Sequence, residues 1–275
     1  GLGDVYKRQH QGKQEREMTI QLRQICLVAN KLEDVLPDLR GILGINSCYV
    51  DAGVGAFGLE NNLMAIGRNF LEVVAPIQPN TAGGRYLERR GGDGGYMVIT
   101  HIDSKPEFDA LRQRALDNGV RVAHEYSRDT WWGCQLHPGD LKAAFLEYEY
   151  DTHEDFSGHW MPVGGTGWED KVRQDITVDM VGVELQGEDP QALADLWGSV
   201  THLPVEDQDG HPTIAMNNAR LRFVTANDGR GPGLGGLDII VADREAVLRE
   251  ARLRGCYVSD QQVDICGTRW YLHDA

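Results

Sequence analysis

Several things are scarce in this sequence. No apolar run approaches the ~20 residues that a membrane-spanning helix needs. Bases are outnumbered, with Lys and Arg totalling 27 against 42 Asp and Glu, a net charge of −15. That balance speaks against nucleic acid or an anionic membrane surface as a main partner, because both recruit cationic surface. The five cysteines (Cys26, Cys48, Cys134, Cys256 and Cys266) are odd in number and form no CxxC pair. They supply neither a disulfide framework nor a cysteine zinc site, and reduced, buried thiols suit a cytoplasmic protein.

What is present is enough apolar material for a sizeable core. Of 275 residues, 41% are hydrophobic, sufficient for two domains of ordinary size or one large one. Asp4–Gln9, DVYKRQ, reads as a translated adapter from sequencing-library preparation. Gly1–Glu17 is therefore expected to be a non-native or disordered leader, with the natural start at Met18.

The stretch Asn69–Ile77, NFLEVVAPI, organises the rest. Alternation places Phe70, Glu72 and Val74 on one strand face and Leu71, Val73 and Ala75 on the other. Glu72 is a carboxylate among apolar neighbours, and burying it alone is costly. It must be solvated, paired or functional.

Around it the chain repeats one order. Thr19–Ala29 is a strand, with Leu22, Gln24, Cys26 and Val28 on one face. Leu32–Leu43 carries a helical apolar stripe that Gly44 ends. Ser47–Val50, Leu59–Ile66 and Phe70–Ala75 are strands. After a Gly-rich, charged connector, Gly83–Gly95, come strand Tyr96–Ile102, helix Pro106–Asn118, and strands Val120–Glu125, Trp131–Leu136 and Ala143–Tyr150, with the turn His137–Asp140 between the last two. Asp151–Gln174 breaks the pattern with four glycines and Phe156, Trp160 and Trp168; a loop of that length is a linker or a functional cover. Thr177–Leu185 and Asp189–Val200 then restart the order, and Leu237–Val241 with Arg244–Arg254 restart it again. Four βαβββ units imply an α+β protein of two domains, residues 18–150 and 175–275, joined by a linker or lid at 151–174.

The stretches QICLVANKLEDVLPDLRGILGI, FLEVVAPI, GDGGYMVITHID and HPGDLKAAFLEYEY, in this order and spacing, resemble the vicinal oxygen chelate superfamily. That superfamily includes glyoxalase I, bleomycin-resistance proteins, methylmalonyl-CoA epimerase and extradiol dioxygenases. The resemblance implies two curled mixed-sheet, glyoxalase-like domains, each built from tandem βαβββ modules around a cup. It places ligand positions on the first and last strands of each unit: Gln24, Glu72, Tyr96 (or Met97) and Glu147, with matching separations of 48 (72 − 24) and 51 (147 − 96).

No histidine occupies these positions, which argues against an iron oxygenase site of two histidines and a carboxylate. His101 has opposite strand parity to Tyr96 and is expected to point away. No cofactor is expected; Mg²⁺ at Glu72 and Glu147 is the one cation such oxygens would suit.

What the resemblance implies for function is an enzyme acting on a small oxygenated metabolite by carboxylate acid/base chemistry of isomerase, epimerase or lyase type. Glu72 would be the base, with Glu147 or Tyr96 as acid or oxyanion partner, and the pocket would be lined by Gln24, Phe70, Val74, Val98, Phe145 and Trp160. The alternatives are a non-catalytic protein that sequesters a small molecule, and a dioxygenase-like relic without the iron site. The partner is a small molecule, and the state a monomer or homodimer. Glu147 shares its face with Glu149, so both carboxylates read as solvent-exposed. Glu72 matches Arg222 in the second half and Gln24 matches Gly182; the 175–275 domain therefore reads as a degenerate, structural copy.

Overall fold

The computed structural model describes residues 20–275; the expected leader and the start at Met18 lie outside the described residues. β1 (Ile20–Val28) is followed by α1 (Leu32–Leu43), β2 (Ser47–Tyr49), β3 (Leu59–Ile66) and β4 (Asn69–Pro76). A helix α2 (Ala82–Arg90) leads to β5 (Gly94–Ile102), α3 (Lys105–Asp117), β6 (Val122–Arg128), β7 (Trp131–Leu136), a one-turn α4 (Pro138–Leu141) and β8 (Phe145–Asp151). Beyond a long loop come β9 (Thr177–Gly187), α5 (Pro190–Thr201), β10 (Val205–Gln208), β11 (His211–Ala215) and β12 (Arg220–Thr225). The last unit is β13 (Gly233–Val241), α6 (Arg244–Leu253), β14 (Tyr257–Ser259), β15 (Gln262–Ile265) and β16 (Thr268–Asp274). Strand, helix, three strands recurs four times.

The units assemble in pairs into two eight-stranded mixed sheets of identical order, β2-β3-β4-β1-β5-β8-β7-β6 and β10-β11-β12-β9-β13-β16-β15-β14. In each, the first strand runs parallel to the fourth and antiparallel to the fifth, as β1 does to β4 and β5. The fold is α+β.

Helix positions follow from local chemistry. α1 turns Val35, Leu39, Ile42 and Leu43 inward and stops at Gly44, whose φ of 63° a side chain would resist. α5 starts where the Asp189 carboxylate accepts the Ala192 N–H at 3.0 Å, with Pro190 in the first turn. α1 and α3 cover one face of the first sheet, α5 and α6 one face of the second. These helices also meet each other, α1 on α6 and α3 on α5. One apolar cluster therefore runs from Leu22, Ile25 and Leu71 through both helix pairs to Val183, Phe223 and Leu237. Polar anchors cross it: Trp197 Nε1 donates to the Leu141 carbonyl at 3.0 Å, and Tyr148 Oη to that of Val200 at 2.5 Å. Each fully buried aliphatic side chain contributes ~1.5–3 kcal/mol.

Two local expectations change. The Gly-rich connector contains α2, because Thr81 caps it by accepting the Gly84 N–H at 2.9 Å and Gly91 ends it at φ 74°. Gly83 is needed there, since a Cβ would come within 3.1 Å of Leu59. The second change is in β1, where a bulge between Leu22 and Gln24 resets the alternation. Leu22 joins the helix-side core, and the Arg23 guanidinium reaches the opposite face, over Phe70 and Trp160.

The halves also touch directly between β5 and β13. A Cβ on Gly95 would overlap the Leu234 backbone carbonyl. Gly95→Ala is accordingly expected to lower unfolding free energy by about 1–3 kcal/mol, read by urea denaturation; a change below about 0.5 kcal/mol would mean that the strands are not held this close.

Candidate functional site

On the sheet face away from α1 and α3, Glu72 is buried with 8% of its surface exposed. Its register partner across β1 is Cys26. Two amide groups hold it: Gln24 Nε2 donates to Oε2 at 2.8 Å, and Asn61 Nδ2 to Oε1 at 3.1 Å. No cation pairs with it among the described residues. Burial pushes its pKa up to about 7, opposed by the Asn61 and Gln24 hydrogen bonds and reinforced by Glu147. Asn61 escaped the sequence reading, although the tight Gly67–Arg68 turn between β3 and β4 fixes a register that sets Asn61 on the Glu72 face.

Glu147 and Glu149 lie one pleat apart on β8 and are both buried, at 3% and 2% exposure. This corrects the expectation of solvated carboxylates, and the reason is a cap of donors from the neighbouring strands. Tyr126 Oη donates to Glu147 Oε1 at 2.5 Å and lies 3.1 Å from Glu149 Oε1; Gln135 Nε2 and Trp131 Nε1 donate to Glu147 and Glu149 at 3.1 and 2.8 Å. Gly133 makes room, since a Cβ there would overlap the Tyr126 ring. Burial raises both carboxyl pKa values, Glu149 the more because the Glu147 charge lies beside it.

The 151–174 loop lies on this face. Trp160 Nε1 donates to Gln24 Oε1 at 2.8 Å, the Trp168 ring meets Phe70 edge-on at 4.9 Å, and Phe156 packs 4.7 Å from His101. Arg23 fastens the loop. Its Nη2 donates to the Gly158 carbonyl at 2.8 Å, Nη1 to Asp155 at 3.3 Å and Nε to Arg68 at 2.9 Å. The side chain is fully buried without a salt bridge among the described residues, and burial lowers its pKa to about 10. His101 lies on this face too, contrary to expectation, because irregular β1–β5 pairing shifts the parity of β5. Its Nδ1 sits 3.4 Å from Arg23 Nη1, which can only donate. Burial and that charge depress its pKa to about 3, leaving a neutral ring.

Of the expected site residues, Gln24, Glu72, Phe70, Val74, Phe145, Tyr96 and Trp160 share this face with Glu147. Val98 does not: it lies in the helix-side core, for the same parity reason as His101. The register equivalent of Gln24 is Met97 rather than Tyr96, since Gln24 pairs with Phe70 and Met97 with Phe145, each two residues before its glutamate. Tyr96 packs between Tyr86 and Phe145, at 4.8 and 5.1 Å, and its hydroxyl makes no hydrogen bond among the described residues.

These residues do not fit a divalent ion. The Gln24 oxygen accepts from Trp160, both Glu72 oxygens accept from amides, Glu147 is capped by Tyr126 and Gln135, and position 97 offers a thioether. The Mg²⁺ arrangement at Glu72 and Glu147 therefore has no free donor set. A separate group, Asp151, His153 and His159, clusters at the start of the loop, with the two Nδ1 atoms 2.5 and 2.9 Å from the carboxylate oxygens. Its imidazoles are stacked 3.7 Å apart and 15° from parallel. Near-parallel rings cannot both direct an in-plane lone pair at one ion, so Asp151 clips two histidines together.

The corresponding face of the second sheet is balanced differently. Glu184, opposite Arg222 in register, accepts from Arg222 at 2.5 Å, Arg269 at 2.7 Å and Tyr271 at 3.0 Å. Where the first sheet covers its acids with amides and hydroxyls, the second pairs them with arginine.

Arg23→Met should take the guanidinium donor from the Arg68 and Asp155 carbonyls, leave that of Gly158 to Trp168 Nε1, and cost about 2 kcal/mol. Limited proteolysis should then cut within residues 155–168 faster than in the wild type; equal cutting rates would show that the loop is held by its aromatics alone.

No protein-family model matches the chain, and no curated protein sequence does. Solved structures do. A hypothetical protein from Staphylococcus aureus superposes with a TM-score of 0.64 at 15% identity, over 94% of this chain and 100% of that one. The Mn(II)-bound glyoxalase of Novosphingobium aromaticivorans gives 0.64 at 11% identity over 94% and 82%. A mutant 4-hydroxymandelate synthase from Streptomyces coelicolor gives 0.60 at 16% identity over 87% and 76%. At these identities the likeness is one of fold, and with the four repeated units and two like-ordered sheets it shows that the chain has a glyoxalase-like fold.

Proposed function

We propose that the first sheet carries a proton-transfer site for a small oxygenated metabolite, with Glu72 as the base. The observation that supports this most is the Glu72 carboxylate itself, buried with no counter-cation among the described residues, a burial that pushes its pKa up to about 7. A base with that pKa is half ionised near neutrality and strong enough to remove a proton beside a carbonyl. Gln24 and Asn61 fix its orientation. Tyr96, with its hydroxyl uncommitted, is the donor to the developing oxyanion, and Phe145 lines the approach. Glu147, tied to Tyr126 and Gln135, holds the floor in this reading and transfers no proton. The reaction class is an isomerase, epimerase or lyase step. The low-identity likeness to a glyoxalase leaves the substrate open.

The alternative is sequestration without turnover. It is favoured by the loop, since Trp160, Trp168 and Phe70 fill much of the same face. The two readings separate in deuterated water. With a panel of small ketones, hydroxy-ketones and 2-substituted acids, the wild type should exchange protons beside the carbonyl, and Glu72→Gln should lose at least ~100-fold of that rate. Background exchange in both proteins across the panel would support sequestration, and full activity in the mutant would remove Glu72 from the mechanism.

The pH dependence has a fixed sign. The ionised base is the active form, so the rate should rise about tenfold per pH unit below pH ~7 and level off above it. Stability runs the other way. The folded pKa lies above the ordinary carboxylate value of 4.5. The stability that Glu72 contributes is therefore complete below pH ~4.5 and is lost as pH rises through ~7. Glu72→Gln should flatten that part of the stability profile; an unchanged profile would show that Glu72 titrates normally.

A further inference from the structure

The bulge in β1 that brings Arg23 to the site face is held from the other half of the molecule. β4 pairs with β1 from Gln24 to Val28, downstream of the extra residue. At Leu22 the partner is instead the tight turn between β11 and β12, which the Met216 N–H closes onto the Ala219 carbonyl at 2.9 Å. Asn218 in that turn gives both ends of its amide to one residue. Its Oδ1 accepts the Leu22 N–H at 2.9 Å, and its Nδ2 donates to the Leu22 carbonyl at 2.8 Å. A side-chain amide used in this way stands in for a neighbouring strand. Next to it, the Asn217 N–H reaches the Ile20 carbonyl at 3.4 Å.

The arrangement is reciprocal. β9 carries its own irregularity, between Met180 and Gly182, and Asn69 Nδ2 from the first half donates to the Met180 carbonyl at 3.2 Å. Each half therefore steadies the first strand of the other with an asparagine. The residue at the irregularity differs. In β9 it is Val181, buried and without a side-chain donor. In β1 it is Arg23, on which the loop hangs by the Asp155 and Gly158 carbonyls and over whose guanidinium the Trp160 ring lies. Trp160 donates to Gln24, and Gln24 to Glu72.

We infer that Asn218 is a positioning residue for the first-sheet site: by clamping Leu22 it fixes the bulge that places Arg23, and through Arg23 the 151–174 loop and the Gln24 amide. Without the clamp, β1 loses the constraint that keeps Leu22 in the helix-side core and Arg23 on the opposite face. The second half is then part of the site's construction rather than a spare copy. The effect on the loop stands on these contacts alone; the effect on proton transfer rests on the Glu72 reading.

The test follows hydrogen exchange and limited proteolysis of residues 155–168 in the whole chain. It compares the wild type, Asn218→Ala, Arg23→Met, the double variant and Thr177→Val. Thr177 Oγ1 donates to the Leu43 carbonyl at 2.7 Å, so the last variant loosens a different hydrogen bond between the halves. Asn218→Ala should open the loop at least about threefold faster than the wild type, and Thr177→Val should stay within about twofold of it. In the Arg23→Met background Asn218→Ala should add nothing, because the hold through which Asn218 acts is already gone. If circular dichroism shows Asn218→Ala unfolded, Asn218→Asp keeps an acceptor for the Leu22 N–H and loses the donor, and should give the same order with a smaller change. On any substrate that the wild type exchanges, Asn218→Ala should also lose at least about threefold of the rate. Should the wild type exchange none, the Glu72 reading fails and the loop measurements still decide this one. The inference is overturned by wild-type loop opening in Asn218→Ala, by an equal acceleration in Thr177→Val, or by an Asn218→Ala effect that persists in full when Arg23 is absent.

Discussion

The first sheet's candidate site depends on one buried cation. Arg23 reaches the site face because a single extra residue bulges β1, and it spends its donors on backbone carbonyls rather than on an acid. Carbonyl oxygens do not titrate, so this attachment holds the loop across the pH range in which Glu72 changes charge. The aromatic layer follows from it. Trp160 lies beneath the guanidinium, and its indole N–H then orients Gln24, which orients Glu72. A hydrogen-bond chain thus runs from the loop to the carboxylate, and displacement of Trp160 would release the Gln24 amide to rotate.

The two sheets show two solutions to the same physical problem, that of keeping carboxylates in a dry sheet face. The first uses neutral donors, and burial there raises the carboxyl pKa values. The second pairs Glu184 and Asp228 with arginine forks. Chemistry that moves a proton suits the first arrangement. The same strand position carries Glu72 in the first sheet and Arg222 in the second.

Much of the fold was legible because periodicity carries it. The apolar stripe of Leu32–Leu43, the alternation of NFLEVVAPI and the fourfold strand–helix–strand order all follow from burying one face. Glu72 and Gln24 could be placed together for the same reason. The failures share a cause: alternation counts residues, and a bulge adds one. Leu22, Val98 and His101 were all assigned to the wrong face by strict parity. The burial of Glu147 and Glu149 was invisible because their donors, Tyr126, Trp131 and Gln135, come from neighbouring strands whose register no local pattern states. The helix at Ala82–Arg90 was hidden because glycines that permit close packing against Leu59 look, in sequence, like glycines that break helices.

The helices between the sheets belong to both halves at once. Cutting the chain in the 151–174 loop would bare the α1 and α3 surfaces that α6 and α5 cover, so neither half carries a complete core of its own. The molecule is then one cooperative unit. A ligand held on either sheet adds its binding free energy to the unfolding cost of the whole. Occupancy of one sheet therefore protects the other from opening, and neither need change shape.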